Sequence, residues 1–168
     1  MVKASSRRRF LQSAPLAAAA AFTLADQPLA AHAATPVPFQ FITAAEIADD
    51  IKALHAAPGN NNLVTNPALP FTLVLTVEEK KAAKEFEYHE GRDHILQVLE
   101  GSTVYEIGGT PVSPHSPKAN EWLAPDSTGA TRLALKKGDT LVIPRNTPHK
   151  RTTEGSVTFV LISTTGNP

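Results

Sequence analysis

Apolar residues change their spacing along the chain. Between residues 44 and 56, Ile47, Ile51 and Leu54 recur at helical intervals and predict one amphipathic helix. Thr43-Ala44-Ala45-Glu46 opens it as a capping box, in which Thr43 and Glu46 each satisfy a free backbone N–H of the other. Pro58-Gly59-Asn60-Asn61-Asn62 should end the helix in a turn, because these residues tolerate left-handed backbone. From about residue 63 the apolar residues come in short β-rich runs: 71–76, a strand opening at Phe86 and Tyr88, then 95–99, 103–107, 132–135, 140–143 and 157–163. Gly108-Gly109 and Lys137-Gly138-Asp139 separate them. Short strands with turn signals at intervals of roughly 8–12 residues predict an all-β antiparallel sandwich or barrel. The Pro-, Ser- and Asn-rich stretch 110–130 reads as an excursion between strands, with Trp122 and Leu123 folded back on the body. A long loop of this kind can serve as a lid over a barrel mouth.

The first 33 residues follow a different pattern. Ser6-Arg7-Arg8-Arg9-Phe10-Leu11 precedes an uncharged stretch, 13–25, and then Ala31-His32-Ala33. A basic start, a short apolar run and a small-x-small site describe a secretory signal, too short to span a membrane stably. The arginine pattern resembles a twin-arginine (Tat) export signal, which implies a periplasmic or secreted protein cut near Ala33. The expected organisation is a signal peptide at 1–33, an arm and helix at 34–62, and a β-barrel domain at 63–168. Whatever its length, the segment at 1–33 should pack against nothing in the barrel.

With 168 residues, the chain has room for one domain at roughly 100–200 residues each. The absence of cysteine excludes disulfides, thiolate metal sites and a Cys nucleophile. Basic and acidic groups number 16 each; without Lys3, Arg7, Arg8, Arg9 and Asp26 they leave 12 against 15, a net charge of −3. Such a chain has no electrostatic reason to bind nucleic acid or anionic lipid. No other apolar stretch is long enough for a membrane helix, so no membrane partner is expected after signal cleavage.

Candidate chemistry lies in the histidines. Glu87 and His89 are two apart on a predicted strand and share a face; His94 follows the Gly91 turn and opens the next strand. One hairpin face can thus present a carboxylate and two imidazoles, all ligands for a divalent metal. His149 closes a second segment, Gly138-Asp139-Thr140-Leu141-Val142-Ile143-Pro144-Arg145-Asn146-Thr147-Pro148-His149. His55, near the C-terminal end of the helix, and His115, in the long excursion, read as surface residues; His115 becomes a lid residue only if that excursion covers the barrel mouth. Arg92 and Asp93 read by default as solvated loop charges; the alternatives are that they pair with each other or that Arg92 meets an anionic substrate. Phe86, Tyr88 and Tyr105 read as core or barrel wall.

Together the two segments resemble the two sequence motifs of the cupin superfamily. Gly138, Pro144 and His149 fall at the second motif's offsets, with Asn146 in place of a glycine, a residue that also accepts positive φ, and Thr153 in place of the final Asn. In the first motif His89 matches the second His and Gly101 the closing Gly. Glu87 takes the place of the first His, His94 that of the Glu, and Lys81 that of the leading Gly. Three histidines and one carboxylate are retained with two types exchanged. The resemblance covers roughly 70–163. It implies a single cupin-type antiparallel β-barrel (a double-stranded β-helix, or jelly roll) with one short N-terminal helix, its ligands pointing inward.

The resemblance further implies one divalent metal on Glu87, His89, His94 and His149, with Glu87 either a fourth ligand or the catalytic base. The expected activity is that of a metal-dependent enzyme on a small oxygenated substrate, by dioxygenase, decarboxylase, isomerase or lyase chemistry. The alternative is a non-catalytic module that binds a metal or small ligand. A homodimer is compatible with either. Three imidazoles and a carboxylate do not choose among Mn, Fe, Zn, Ni and Cu, and the Irving–Williams order favours Cu and Zn. A chain that folds before export takes its metal in the cytoplasm, where free Cu and Zn are scarce, so the export signal favours Mn²⁺ or Fe²⁺.

Overall fold

The computed structural model describes residues 37–64 and 66–166. The signal-type segment expected at 1–33 lies outside the described residues. Helix α1, Ala44–Ala56, forms at the predicted place, and its capping box is closed: Glu46 N donates to Thr43 Oγ1 at 3.2 Å, and Thr43 N to the Glu46 carboxylate at 2.7 Å. Its half-buried face of Ile47, Ile51 and Leu54 explains why it docks. It packs on β1 (Gly59–Val64) and β2 (Phe71–Ala82).

Nine further strands follow among the described residues: β3 (Phe86–His89), β4 (His94–Ile107), β5 (Thr110–Val112), β6 (His115–Lys118), β7 (Glu121–Ala124), β8 (Asp126–Thr128), β9 (Thr131–Lys136), β10 (Thr140–Ile143) and β11 (His149–Thr164). Every pairing is antiparallel. The 16-residue β11 is the hub. It pairs β2 on one side and β4 on the other, and its first residue, His149, pairs Glu87 of β3. β4 also carries β9 and β10, β3 leads on to β7 and β6, and β5 with β8 forms a separate ribbon.

Alternation along the two long strands sets the interior. Inward positions of β4 run His94, Leu96, Val98, and their neighbours on β11 run Ser163, Leu161, Phe159, Val157. Each row is polar at one end and apolar below it. Leu96, Val98, Tyr105, Leu135, Ile143, Val157 and Phe159 form the core. The histidine end of the barrel thus stands directly on its best-packed layer.

The structure corrects five local expectations. The Asn-rich stretch after Pro58 is not a turn but β1, paired along β2, with Asn60 Oδ1 accepting from Thr76 Oγ1 at 2.8 Å. Asparagine disfavours strands in isolation, and the ladder with β2 overrides that preference. β1 also runs through the 62/63 boundary expected between arm and barrel. The two strands expected at 95–99 and 103–107 are one continuous β4, because an irregularity in β11 between Thr152 and Val157 absorbs the break at Gly101. The last strand begins at His149 rather than near 157. Finally, 110–130 is not a plain excursion: its β7 joins the main sheet through β3, and Ala124 is fully buried.

Gly101 has φ +70°, and a Cβ there would stand 2.0 Å from the Ser156 backbone oxygen. Gly138 also has positive φ (+90°) but faces open space. Gly138→Ala should therefore cost about 1–2 kcal/mol, the strain of a left-handed residue alone. Gly101→Ala should cost on the order of 4 kcal/mol or prevent folding. Urea unfolding of the two variants measures the difference.

Candidate metal centre

Three strand ends converge at the polar end of the barrel. His89 closes β3, His94 opens β4 and His149 opens β11, and all three are buried. One nitrogen from each ring lies within 4.8 Å of the other two. The ring centroids are 4.9, 5.6 and 5.6 Å apart, at steep angles to one another. The loops that deliver these rings are joined to each other. Asn146, with φ +62° where the motif has glycine, donates its backbone N–H to His89 O at 2.8 Å.

Each ring is held from behind by a different group. His89 Nδ1 donates to Glu121 Oε2 at 2.6 Å, and His149 Nδ1 to the Thr147 carbonyl at 2.9 Å. His94 Nδ1 lies 2.8 Å from Ser163 Oγ. A carboxylate and a carbonyl only accept, which fixes the proton on Nδ1 of His89 and His149. Nε2 of His89 and His149 is then the nitrogen that carries the unshared pair, while the Ser163 hydroxyl, able to donate or accept, holds the His94 ring in place. Backing of this kind orients imidazole ligands around a metal.

Glu87 stands beside the cluster, half-exposed, with Oε1 3.5 Å from His149 Nε2. Two acceptors facing each other across that gap need a proton or a cation between them. The His149 ring, opposed by burial, holds the Glu87 carboxyl down to about 2, so it is ionised at neutral pH. Burial, reinforced by the other two rings, pushes His94 down to about 4. Burial and Arg92 lower His89 as well. The result is a set of three buried imidazoles with an ionised carboxylate beside them, a donor set that suits a divalent cation.

Sequence reasoning found the three histidines and Glu87 but missed what supports them. Arg92 and Asp93 do not pair with each other: Arg92 contacts Glu121, and Asp93 takes Arg145. Arg145 donates to Asp93 from its backbone at 2.8 Å and from Nη2 at 2.9 Å, which draws the Asp93 carboxyl down to about 2. Glu121 sits in the segment read as loop, and only the β3–β7 register, which sets it opposite His89, reveals its role. In the same register Trp122 stacks on Tyr88 at 5.8 Å and donates Nε1–H to Glu90 at 2.9 Å. His55 and His115 stand apart from the cluster, at the surface beside Glu100 and Glu85.

Two cavities of about 340 Å³ adjoin the site, within the range of roughly 300–1,000 Å³ for small-molecule sites. One is bordered by Glu87, His149, Tyr105, Arg151, Lys84 and Lys150. The other is bordered by Glu87, His89, His94, Arg92, Arg151 and Ser163. Glu87 and Arg151 border both.

The positions that match the cupin motifs now have structural reasons: positive φ at Gly101, Gly138 and Asn146, and histidines at the mouth of an antiparallel barrel. The fold is a cupin-type barrel. Solved structures agree with this topology. Protein BH2720 from Bacillus halodurans has a TM-score of 0.53 at 17% identity, over 78% of this chain and 85% of its own. Protein NMB1881 from Neisseria meningitidis has a TM-score of 0.52 at 13% identity, over 75% of this chain and 100% of its own. A cupin-like protein from Thermotoga maritima is 25% identical, over 62% of this chain and 66% of its own, with a TM-score of 0.45. No family model and no curated protein matches the chain.

Two outcomes follow from the support of the three histidines. Glu121→Ala should lower divalent-metal affinity about 10–100-fold with the fold intact, measured by chelator competition. In metal-free protein, the lowered pKa values of His94 and His89 mean that the unfolded chain binds more protons than the native one below about 6.5. Stability is therefore complete above that pH and falls as pH drops toward 4. Thermal unfolding between pH 7 and 4 should show the decline, and His94→Asn should flatten it.

Proposed function

We propose that this cupin barrel is an exported, metal-dependent enzyme acting on a small oxygenated organic molecule. The observation that carries the reading is the cluster of three buried imidazoles, each held through Nδ1 and each with one nitrogen within 4.8 Å of the other two, with the Glu87 carboxylate beside His149. His89, His94 and His149 would hold the ion. Once bound, such an ion supplies electrophilic polarisation of a carbonyl or enolate oxygen and, for iron, redox chemistry with dioxygen. That range covers dioxygenation, decarboxylation, isomerisation and C–C bond cleavage.

Glu87 is the base in this reading. It stands outside the mutual histidine cluster, ionised and half-exposed, and it borders both cavities. A carboxylate in that position can accept a proton from a substrate in either cavity. The buried polar walls orient the substrate and exclude part of its water. The export signal favours manganese or iron, since the ion is then acquired where free copper and zinc are scarce.

Elemental analysis of protein purified from its native host tests the proposal. One equivalent of manganese or iron per chain is the expected result, and stoichiometric zinc or copper would contradict the choice of metal. His149→Ala should lose the ion while Glu87→Gln keeps it. Loss of the ion in Glu87→Gln would make Glu87 a ligand instead of the base. Wild-type protein that takes up none of these metals would remove the enzyme reading altogether.

A further inference from the structure

Tyr105 is 3% exposed and part of the core, and it also lines the cavity bordered by Glu87 and His149. Burying a phenolic hydroxyl is costly unless it is hydrogen-bonded. Among the described residues its one hydrogen-bond partner is Arg151, whose Nη1 donates to Tyr105 Oη at 2.9 Å. A guanidinium has no acceptor atom, so this bond occupies an oxygen lone pair and leaves the tyrosine hydrogen unused.

Arg151 is not free to turn away. Its Nε and Nη2 donate to the two oxygens of Glu78 at 3.2 and 2.6 Å, and its guanidinium lies 4.5 Å over the Phe159 ring. Glu78 is itself buried and accepts from Thr153 Oγ1 at 3.0 Å; Thr153 in turn meets Thr103 Oγ1 at 2.9 Å. Thr153 occupies the place where the cupin motif has its final Asn. The position thus keeps a polar function, as the anchor of a buried ion pair. That ion pair holds the phenol oxygen from one side, and the hydrogen of this cavity-lining tyrosine has no acceptor among the described residues. Hydrogen bonds in chains polarise one another, so a hydroxyl accepting from a cation is a stronger donor.

We propose that the Tyr105 hydroxyl donates a hydrogen bond to a substrate oxygen held at the histidine cluster, and that this oxygen is anionic: a carboxylate, enolate or phenolate. This rests on the metal reading above. The cavity is edged by Lys81, Lys84, Lys150 and Arg151 against Glu78, Glu85 and Glu87, with Glu78 already taken up by Arg151, so cationic groups outnumber the carboxylates around that oxygen. Tyr105 is then the residue that selects an oxyanion over a neutral isostere, and Glu78 and Arg151 are positioning residues behind it.

Cobalt-loaded protein provides the test, with 4-nitrocatechol and oxalate as probes. Wild type and Tyr105→Phe should take up cobalt equally and show the same cobalt absorption before the probe is added. In Tyr105→Phe the dissociation constant of the probes should rise about tenfold, and the visible band of bound nitrocatechol should move to longer wavelength as the hydrogen bond to its phenolate is lost. Affinities within twofold of wild type overturn the proposal, and so does a weaker affinity with an unmoved band, which is a packing effect. Wild-type protein that takes cobalt but whose spectrum neither probe perturbs at millimolar concentration shows that the anionic assignment is wrong. Wild-type protein that takes no cobalt fails earlier, at the metal reading, and the proposal falls with it.

Discussion

Three imidazole nitrogens and a carboxylate turned toward one another concentrate unshared electron pairs at a single point, and the architecture around them is arranged to hold that concentration. Left to themselves, buried rings would rotate to find donors or take up protons. Rotation is blocked because each Nδ1 is already bonded, to Glu121 on β7, to Ser163 on β11 and to the Thr147 carbonyl before β11. Protonation is opposed by burial and by the neighbouring rings, which hold His94 near 4. His94 therefore keeps its acceptor character at neutral pH, and the orientation of the three rings does not rely on any one contact.

Holding the rings also requires holding the loops. The turn between β3 and β4 and the turn before β11 are far apart in sequence, yet Asp93 in the first grips both backbone and side chain of Arg145 in the second. Asn146 N–H reaches back to His89 O. Gly91 lies so close to Gly166 that a Cβ would meet its carbonyl oxygen at 2.8 Å, and Gly166 N–H donates to Gly91 O at 2.9 Å. The first ligand loop is thus fastened to the second and to the end of the chain's last strand. An ion pair at the mouth of a barrel contributes little to stability on its own. Here its effect is positional, since it fixes the separation of His94 and His149.

What could be read from the sequence was whatever depends on local spacing. The capping box at Thr43 and Glu46, the inward pairing of Glu87 with His89, the histidine that opens β4 and the positive φ of Asn146 all follow from intervals of a few residues. What could not be read depends on register between distant strands. Glu121 becomes the backing carboxylate of His89 only because β7 lies beside β3, and Arg151 meets Tyr105 only because β11 lies beside β4. Asn60, Asn61 and Asn62 form a strand only because β2 offers a ladder. The segment 110–130 misleads for the same reason: its composition is that of a loop, and its partner is out of sight of any local rule.

The division of labour along the strands bears on how such a site persists. On β4 the inward residues pass from His94 to Leu96 and Val98, and on β11 from Ser163 to Leu161 and Phe159. Polar ligands and apolar core are successive rungs of the same ladders. The apolar rungs supply most of the stabilisation, about 25 cal/mol for each Å² of apolar surface buried. The polar rungs add little or subtract, because acceptors crowd one another there. The histidine cluster therefore sits where the framework is already secured by the layer beneath it, and the crowding of its acceptors is carried by strands that it does not hold together.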